Sequence, residues 1–319
     1  MFVKALGSLS RFPYMIASNT ELLARGRQGC CVPLPLAIML NLPLALFSDD
    51  LLVSIVEHVS KLPSRDEDLY NLSLADRAFT QSCQKYIFRT LEFGSKKVIS
   101  EKVRKAKKIL EDNPSFANQV RVVHLLISPN ECEWLFNNHT FISILQLLSK
   151  SSMPPHELHF GGYMLSSFMI MDPILVVRQL AQSFFSQTLT ILRLTACGNV
   201  PLPLFLICPG LREVFLHEVG GAYPSYGNYP DNLCSGREAP LLEVLDYRNS
   251  HSLVEQMITP PPRFKTPVVL WSNLRVLTLS PHEKEGVACL QPILDAACNT
   301  LEELSLTSTD MGGCRCIVF

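Results

Sequence analysis

Leu189-Thr-Ile-Leu-Arg-Leu194, Leu211-Arg-Glu-Val-Phe-Leu216, Leu242-Glu-Val-Leu-Asp-Tyr247 and Leu274-Arg-Val-Leu-Thr-Leu279 share one pattern: apolar residues at the first, fourth and sixth positions. Val120, Val123 and Leu125 carry it as well, as do Leu301, Leu304 and Leu306, and Pro155, Leu158 and Phe160 form a weaker copy. The copies start at residues 120, 155, 189, 211, 242, 274 and 301, a loose but persistent period. Repetition on this scale marks a chain built from small units that bury a core only by stacking. Ile142 to Leu148, Ile174 to Phe184 and Val287 to Ala297 have helical spacing and precede several copies, so the expected unit is a helix followed by a strand, and the fold class α/β.

Side chains alternate along a strand, so the third, fifth and seventh positions of each copy face away from the shared core. Arg193, Phe215, His217, Asp246, Arg248 and Thr278 occupy such positions. Arginine and aromatic residues are the usual anchors of binding hot spots, which makes these six the candidate target-binding residues.

Upstream, Ser48 is placed to cap a helix with Asp49 and Asp50 in its first turn, where the helix dipole favours negative charge. Leu51, Leu52, Ile55, Val56 and Val59 follow at helical spacing. After a polar break at Pro63 to Asp66, the same spacing returns in Leu69, Leu72, Leu74, Ala78 and Phe79, then in Tyr86, Ile87 and Phe88. Three helices of this size hold more apolar residues than one small bundle can hide, which implies a partner surface.

Phe47-Ser-Asp-Asp-Leu-Leu-Val-Ser-Ile-Val-Glu-His-Val, Asp68-Leu-Tyr-Asn-Leu-Ser-Leu-Ala-Asp-Arg-Ala-Phe and Tyr86-Ile-Phe-Arg-Thr-Leu resemble the three helices of the fungal F-box. Ser48 stands where that family has proline, and Asp76 where it often has cysteine. The recurring strand pattern resembles irregular leucine-rich repeats, with Cys197 on the Asn/Cys turn position and Ser128, Ser250, His282 or Thr309 in other copies. Together these resemblances imply an N-terminal three-helix F-box followed by an irregular leucine-rich-repeat solenoid. The domains expected are a leader at 1–46, disordered or mispredicted; an F-box at 47–94; a solenoid at 95–309; and a tail at 310–319.

What the resemblance implies is a substrate-receptor subunit of a Skp–cullin–F-box ubiquitin ligase in the cytoplasm or nucleus. The Skp-type adaptor, and through it the cullin complex, is then contacted by Phe47, Leu51, Leu52, Ile55, Val56, Leu72 and Leu74, and an unknown target protein by the repeats. The alternative is a leucine-rich-repeat interaction protein without a ligase role. Cys316-Ile-Val-Phe319 matches a C-a-a-X prenylation pattern on Cys316, so membrane association follows if that cysteine is modified; otherwise the end is read-through or truncated sequence.

The 28 basic and 29 acidic side chains leave a net charge of -1, so no global field recruits nucleic acid. The basic stretch Ser95 to Asp112 keeps an apolar stripe and lacks an aromatic platform, which reads as a solvated helix. Eleven cysteines without a CxxC favour free thiols over zinc or disulfide frameworks. His156-Glu-Leu-His159 is one residue too short for the HExxH zinc helix, and the chain has no GxxxxGK[ST] and no GxSxG. No catalytic residue, metal or cofactor is expected, and the protein is read as a non-enzyme.

Overall fold

The computed structural model describes residues 48–62, 64–94, 99–128, 134–162, 168–221, 237–280, 290–307 and 316–318. The chain divides into two compact units between Thr90 and Leu91. Phe47, His282 and Thr309 lie outside the described residues.

In the first unit, α1 (Asp49–Ser60), α2 (Arg65–Ala75) and α3 (Arg77–Ile87) pack around Leu52, Val56, Leu69, Phe79 and Cys83. Both departures from the family pattern are helix caps. Ser48 Oγ accepts from the Leu51 N–H at 3.4 Å, and Asp76 Oδ1 accepts from the Ala78 N–H at 2.8 Å, satisfying donors that the first helical turn leaves unpaired. The third helix ends at Ile87, earlier than expected, because the chain turns there into a strand in which Leu91 and Phe93 are buried on one side.

That strand overturns the expected architecture. Instead of a helical F-box followed by an irregular leucine-rich-repeat solenoid, the described residues from β1 onward form one mostly parallel sheet of ten strands with connecting helices, an α/β fold. The strands are β1 (Thr90–Phe93), β2 (Val122–Ile127), β3 (Glu157–Gly162), β4 (Phe168–Met169), β5 (Ile191–Val200), β6 (Glu213–Gly221), β7 (Val244–Arg248), β8 (Val276–Ser280), β9 (Glu303–Thr307) and β10 (Cys316–Val318). They pair in sequence order except β4, which pairs with β5. From β2 to β9 the pairing is parallel, and β10 closes the sheet antiparallel to β9. β1, β4 and β10 belong to no copy of the sequence pattern. β1 begins inside the segment expected to be all helix, and Gly94 after it makes the join possible. Its φ is +143°, and a Cβ there would stand 2.3 Å from the Leu126 carbonyl oxygen.

Leu192, Val214, Leu245 and Leu277 are Cα partners across successive strands, as are Leu194, Leu216, Tyr247 and Leu279; none is more than 1% exposed. The first pattern position lies before each strand rather than in it: Leu189, Leu211, Leu242 and Leu274 reach the core from the entering turn. Helices connect the strands, among them α4 (Ile99–Asp112), α5 (His139–Ser149), α6 (His251–Ile258) and α7 (Gln291–Ala297). Val103, Ala106 and Leu110 bury the apolar stripe of the basic α4. Val176–Phe185 runs as a π-helix after a short α-helical turn at Pro173–Leu175.

A hydrogen-bond ladder at the entering end sets the register. At the entering end, one carbonyl accepts two N–H groups of the next strand. Thr190 O accepts from Arg212 and Glu213, Arg212 O from Glu243 and Val244, Glu243 O from Arg275 and Val276, and Arg275 O from Glu302 and Glu303, at 2.8 to 3.1 Å. At the exit, Ala196, Glu218 and Asn249 have φ of 50°, 57° and 51°, turning the chain out of extended geometry two residues after the last core position. The next residues, Cys197, Val219 and Ser250, drop into the interior. Ser250 Oγ accepts from the Val219 N–H at 3.0 Å and donates to the Leu216 or Arg248 carbonyl, at 3.1 and 2.8 Å, tying β7's exit to β6's.

Cys83, Cys197 and Cys208 are free, buried thiols, and burial pushes Cys83 up to about 11 and the other two up to about 12, so they stay protonated and inert. No described helix is long and apolar enough to cross a membrane. The candidate prenylation residue Cys316 opens β10, where Ile317 and Val318 pair with Leu306 and Ser305; the proteolysis that follows prenylation of a C-a-a-X cysteine would remove both residues and dismantle that strand.

Ser250→Ala strands the Val219 N–H and one carbonyl in the interior and should cost about 1–3 kcal/mol of stability. Ser280 is equally buried but its hydroxyl has no partner among the described residues, so Ser280→Ala should be neutral or stabilising. Urea denaturation of the two variants side by side checks the contrast.

Candidate partner-binding face

Fixed register turns the outward positions of separate copies into rows. The fifth positions align as His124, His159, Arg193, Phe215, Asp246 and Thr278 across β2, β3, β5, β6, β7 and β8, ending on Ser305 of β9. The seventh positions align as Leu126, Gly161, Thr195, His217, Arg248 and Ser280. All six residues expected to bind the target are therefore brought together. Arg193, Phe215, Asp246 and Thr278 are neighbours in one row, and His217 and Arg248 lie beside them in the next. Arg248 is exposed, and the other five are half-buried.

These side chains are held by one another. The Arg193 guanidinium carbon sits 3.6 Å from the Phe215 ring centroid, a cation–π contact that keeps both side chains in place. Arg193 Nε also donates to Glu157 Oε1 at 2.8 Å, and His159 Nε2 lies 2.7 Å from the same oxygen. Burial raises the Glu157 carboxyl most strongly of any single influence, yet the hydrogen bonds and charges of His159 and Arg193 together outweigh it and hold the group down at about 2. The arrangement recurs at Asp246, whose carboxylate Arg248 contacts at 3.3 Å while His217 Nε2 lies 3.7 Å away, beyond hydrogen-bond length. Burial again raises it and the His217 and Arg248 contacts again prevail, so Asp246 is lowered. At the β1 end, His124 Nδ1 stands 3.3 Å from Glu92, which its hydrogen bond lowers against burial. His124 and His159 meet edge-on with ring centroids 5.1 Å apart.

Between these groups the face is notched. Gly161 occupies a seventh position and has no side chain, and a Cβ there would come within 3.0 Å of the Thr195 carbonyl oxygen. Beside it lies a concavity of about 320 Å³ lined by His124, Leu126, His159, Phe160, Gly161, Gly162, Arg193 and Thr195. Among the described residues, no group of three His, Cys, Asp or Glu side chains is placed to hold a metal ion.

No family model matches this chain, and no curated protein matches it.

The expected adaptor residues, all in the first unit, divide. Leu52 and Val56 are 5% and 0% exposed, fully committed to the helical core, with Ile55 and Leu72 packed partly buried against it. Leu51 and Leu74 remain open to solvent at 43% and 49%. Burial leaves Leu52 and Val56 no surface to offer another protein.

His124, His159, Glu157, Glu92 and Thr195 were not singled out as binding residues from sequence, although the signal was present. Applying the fifth-position rule to the copies starting at Val120 and Pro155 selects His124 and His159 directly. Glu157 is a third-position residue, and its partners become visible only when β3 lies beside β5.

Glu157's depressed value has a consequence for acid stability. A carboxyl lowered in the folded state contributes stability that is complete above its ordinary value of 4.5 and is lost as pH falls through about 2. Glu157→Gln should therefore flatten the decline in melting temperature across that window, as measured by thermal denaturation of both proteins at a series of acidic pH values.

Proposed function

We propose that this chain is a target-binding subunit of a Skp–cullin–F-box ubiquitin ligase, working in the cytoplasm or nucleus. Its first unit docks on the Skp-type adaptor, and the outward face of its parallel sheet holds the protein to be modified. The observation that carries the target-binding half is the aligned row of Arg193, Phe215, Asp246 and Thr278, an anchored arginine–aromatic pair flanked by both charge signs on the face opposite the core. The adaptor half rests on the F-box resemblance of residues 47–94 and on two leucines, Leu51 and Leu74, left exposed by a bundle whose core is already filled.

On this reading the chain makes and breaks no bond. It raises the effective concentration of a target near a ubiquitin-charged enzyme brought by other subunits. A second reading is a target-binding protein without a ligase role. It is favoured by Ser48 and Asp76, which replace family residues and are occupied as helix caps.

Leu51→Asp with Leu74→Asp should leave the melting temperature unchanged and weaken binding to a purified Skp-type adaptor about tenfold or more, since charges are placed at an apolar contact. Val56→Asp, by contrast, should unfold the unit. Calorimetric titration with the adaptor distinguishes the readings: undiminished binding by the double variant removes these leucines from the interface, and no binding by the unaltered chain leaves the second reading. Phe215→Ala with Arg248→Ala should reduce target capture without lowering the melting temperature, and equal capture would remove the sheet face from the proposal.

A further inference from the structure

We infer that Glu213, with Ile191 and Val244 on either side of it, is a subsite for a basic side chain, Lys or Arg, of an extended segment of the bound protein. The inference deepens the proposed function and rests on the sheet face being the one that holds the target.

Register places the group. The third positions of β5 to β8 align as Ile191, Glu213, Val244 and Val276. All four are half-buried, so one carboxylate stands in a strip of branched aliphatic side chains, with Ile191 and Val244 each a strand spacing of about 5 Å away. Phe215 follows two residues along β6 on the same face and closes the strip on that side.

Ion pairing elsewhere leaves Glu213 alone. Both arginines at outward positions are held by carboxylates, Arg193 by Glu157 and Arg248 by Asp246. At the entering edge, Arg212 is bonded to Glu243 at 2.9 Å and Arg275 to Glu302 at 2.7 Å. The Glu213 carboxylate takes part in no hydrogen bond or ion pair among the described residues, although Arg212 adjoins it in sequence and Arg193 and Asp246 lie diagonally across from it. The face as a whole carries Glu92, Glu157, Glu213, Asp246 and Glu303 against Arg193 and Arg248, so its surplus of fixed charge is negative.

Chemistry then selects the occupant. A carboxylate partly withdrawn from water has an unmet demand for a donor or a cation, and covering it with another protein sharpens that demand. An acidic residue set over it is repelled, and an apolar one buries the charge unpaired. Lys and Arg meet both features of the strip: their aliphatic stems pack on Ile191, Val244 and Val276 while the charged head reaches the carboxylate. A negative face meeting a basic segment also fixes which sequences are rejected.

The test uses the full chain with carbon-13-labelled Ile and Val methyl groups, titrated with nine-residue peptides of Gly and Ser whose central residue is Lys, Arg, Leu or Glu and followed by NMR. The Lys and Arg peptides should shift the Ile191 and Val244 methyl signals and bind about tenfold more tightly than the Leu peptide at low salt, with the Glu peptide weakest and the preference shrinking as salt is added. Glu213→Gln should bring Lys and Arg binding down to the Leu level at an unchanged melting temperature, because Glu213 holds no partner in the unbound protein. The subsite is refuted if the Leu or Glu peptide binds as well as Lys, if Glu213→Gln keeps the preference, or if no peptide moves these two signals. Shifts on the sheet face without a preference for a base discard the subsite and keep the face, whereas shifts confined to methyl groups off the sheet face discard the face as well.

Discussion

A single carbonyl oxygen at the entrance of β2, β3 and β5 to β8, accepting two N–H groups from the next strand, holds these strands in register. Thr190, Arg212, Glu243 and Arg275 repeat this arrangement in succession, and Arg121 and His156 do the same for β3 and β5. Each bond is worth only about a kcal/mol net, but slipping the register by one residue would break every pair in the series and turn the core residues outward. Leu192, Val214, Leu245 and Leu277 can meet in one buried row only because that slip is prevented.

The same constraint builds the opposite face. Once Leu192 and Leu194 point inward, Arg193 must point outward, and once β5 is locked beside β6 it must lie against Phe215. Glu157, His159 and Arg193 come from different strands or different positions, yet they converge on one carboxylate without any local turn arranged for that purpose. Asp246 with His217 and Arg248 repeats the theme two strands on. The face is thus organised by backbone pairing, and side-chain identity decides what each position offers a partner. A glycine at one position leaves a notch, and an arginine stacked on phenylalanine leaves a rigid anchor.

In the first unit a different compromise operates. A three-helix bundle of this size buries few residues completely, and Leu52, Val56, Leu69, Phe79 and Cys83 already fill that core. Leucines at Leu51 and Leu74 have no room inside. Helical spacing alone assigns both classes of leucine to apolar faces. It cannot tell the core-facing part of the stripe from its solvent-facing edge, because that depends on how the three helices cross.

Residue order by itself determined the strands β2, β3 and β5 to β9, the inward and outward sides of each, and the helix cap at Ser48, because these follow from alternation, apolar spacing and short-range hydrogen bonding. It left β1 hidden in an expected helix, since Thr90 to Phe93 is too short for periodicity to separate strand from helix and pairing with β2 is what decides. It also gave no sign of the turns at Ala196, Glu218 and Asn249, where residues other than glycine adopt positive φ. Only the tertiary structure decided that the strands join in one mostly parallel sheet where a leucine-rich-repeat solenoid was expected. Only it joined Glu157 to Arg193, 36 residues apart in the chain, because strand neighbours are chosen by the packing of a shared core and not by proximity in sequence.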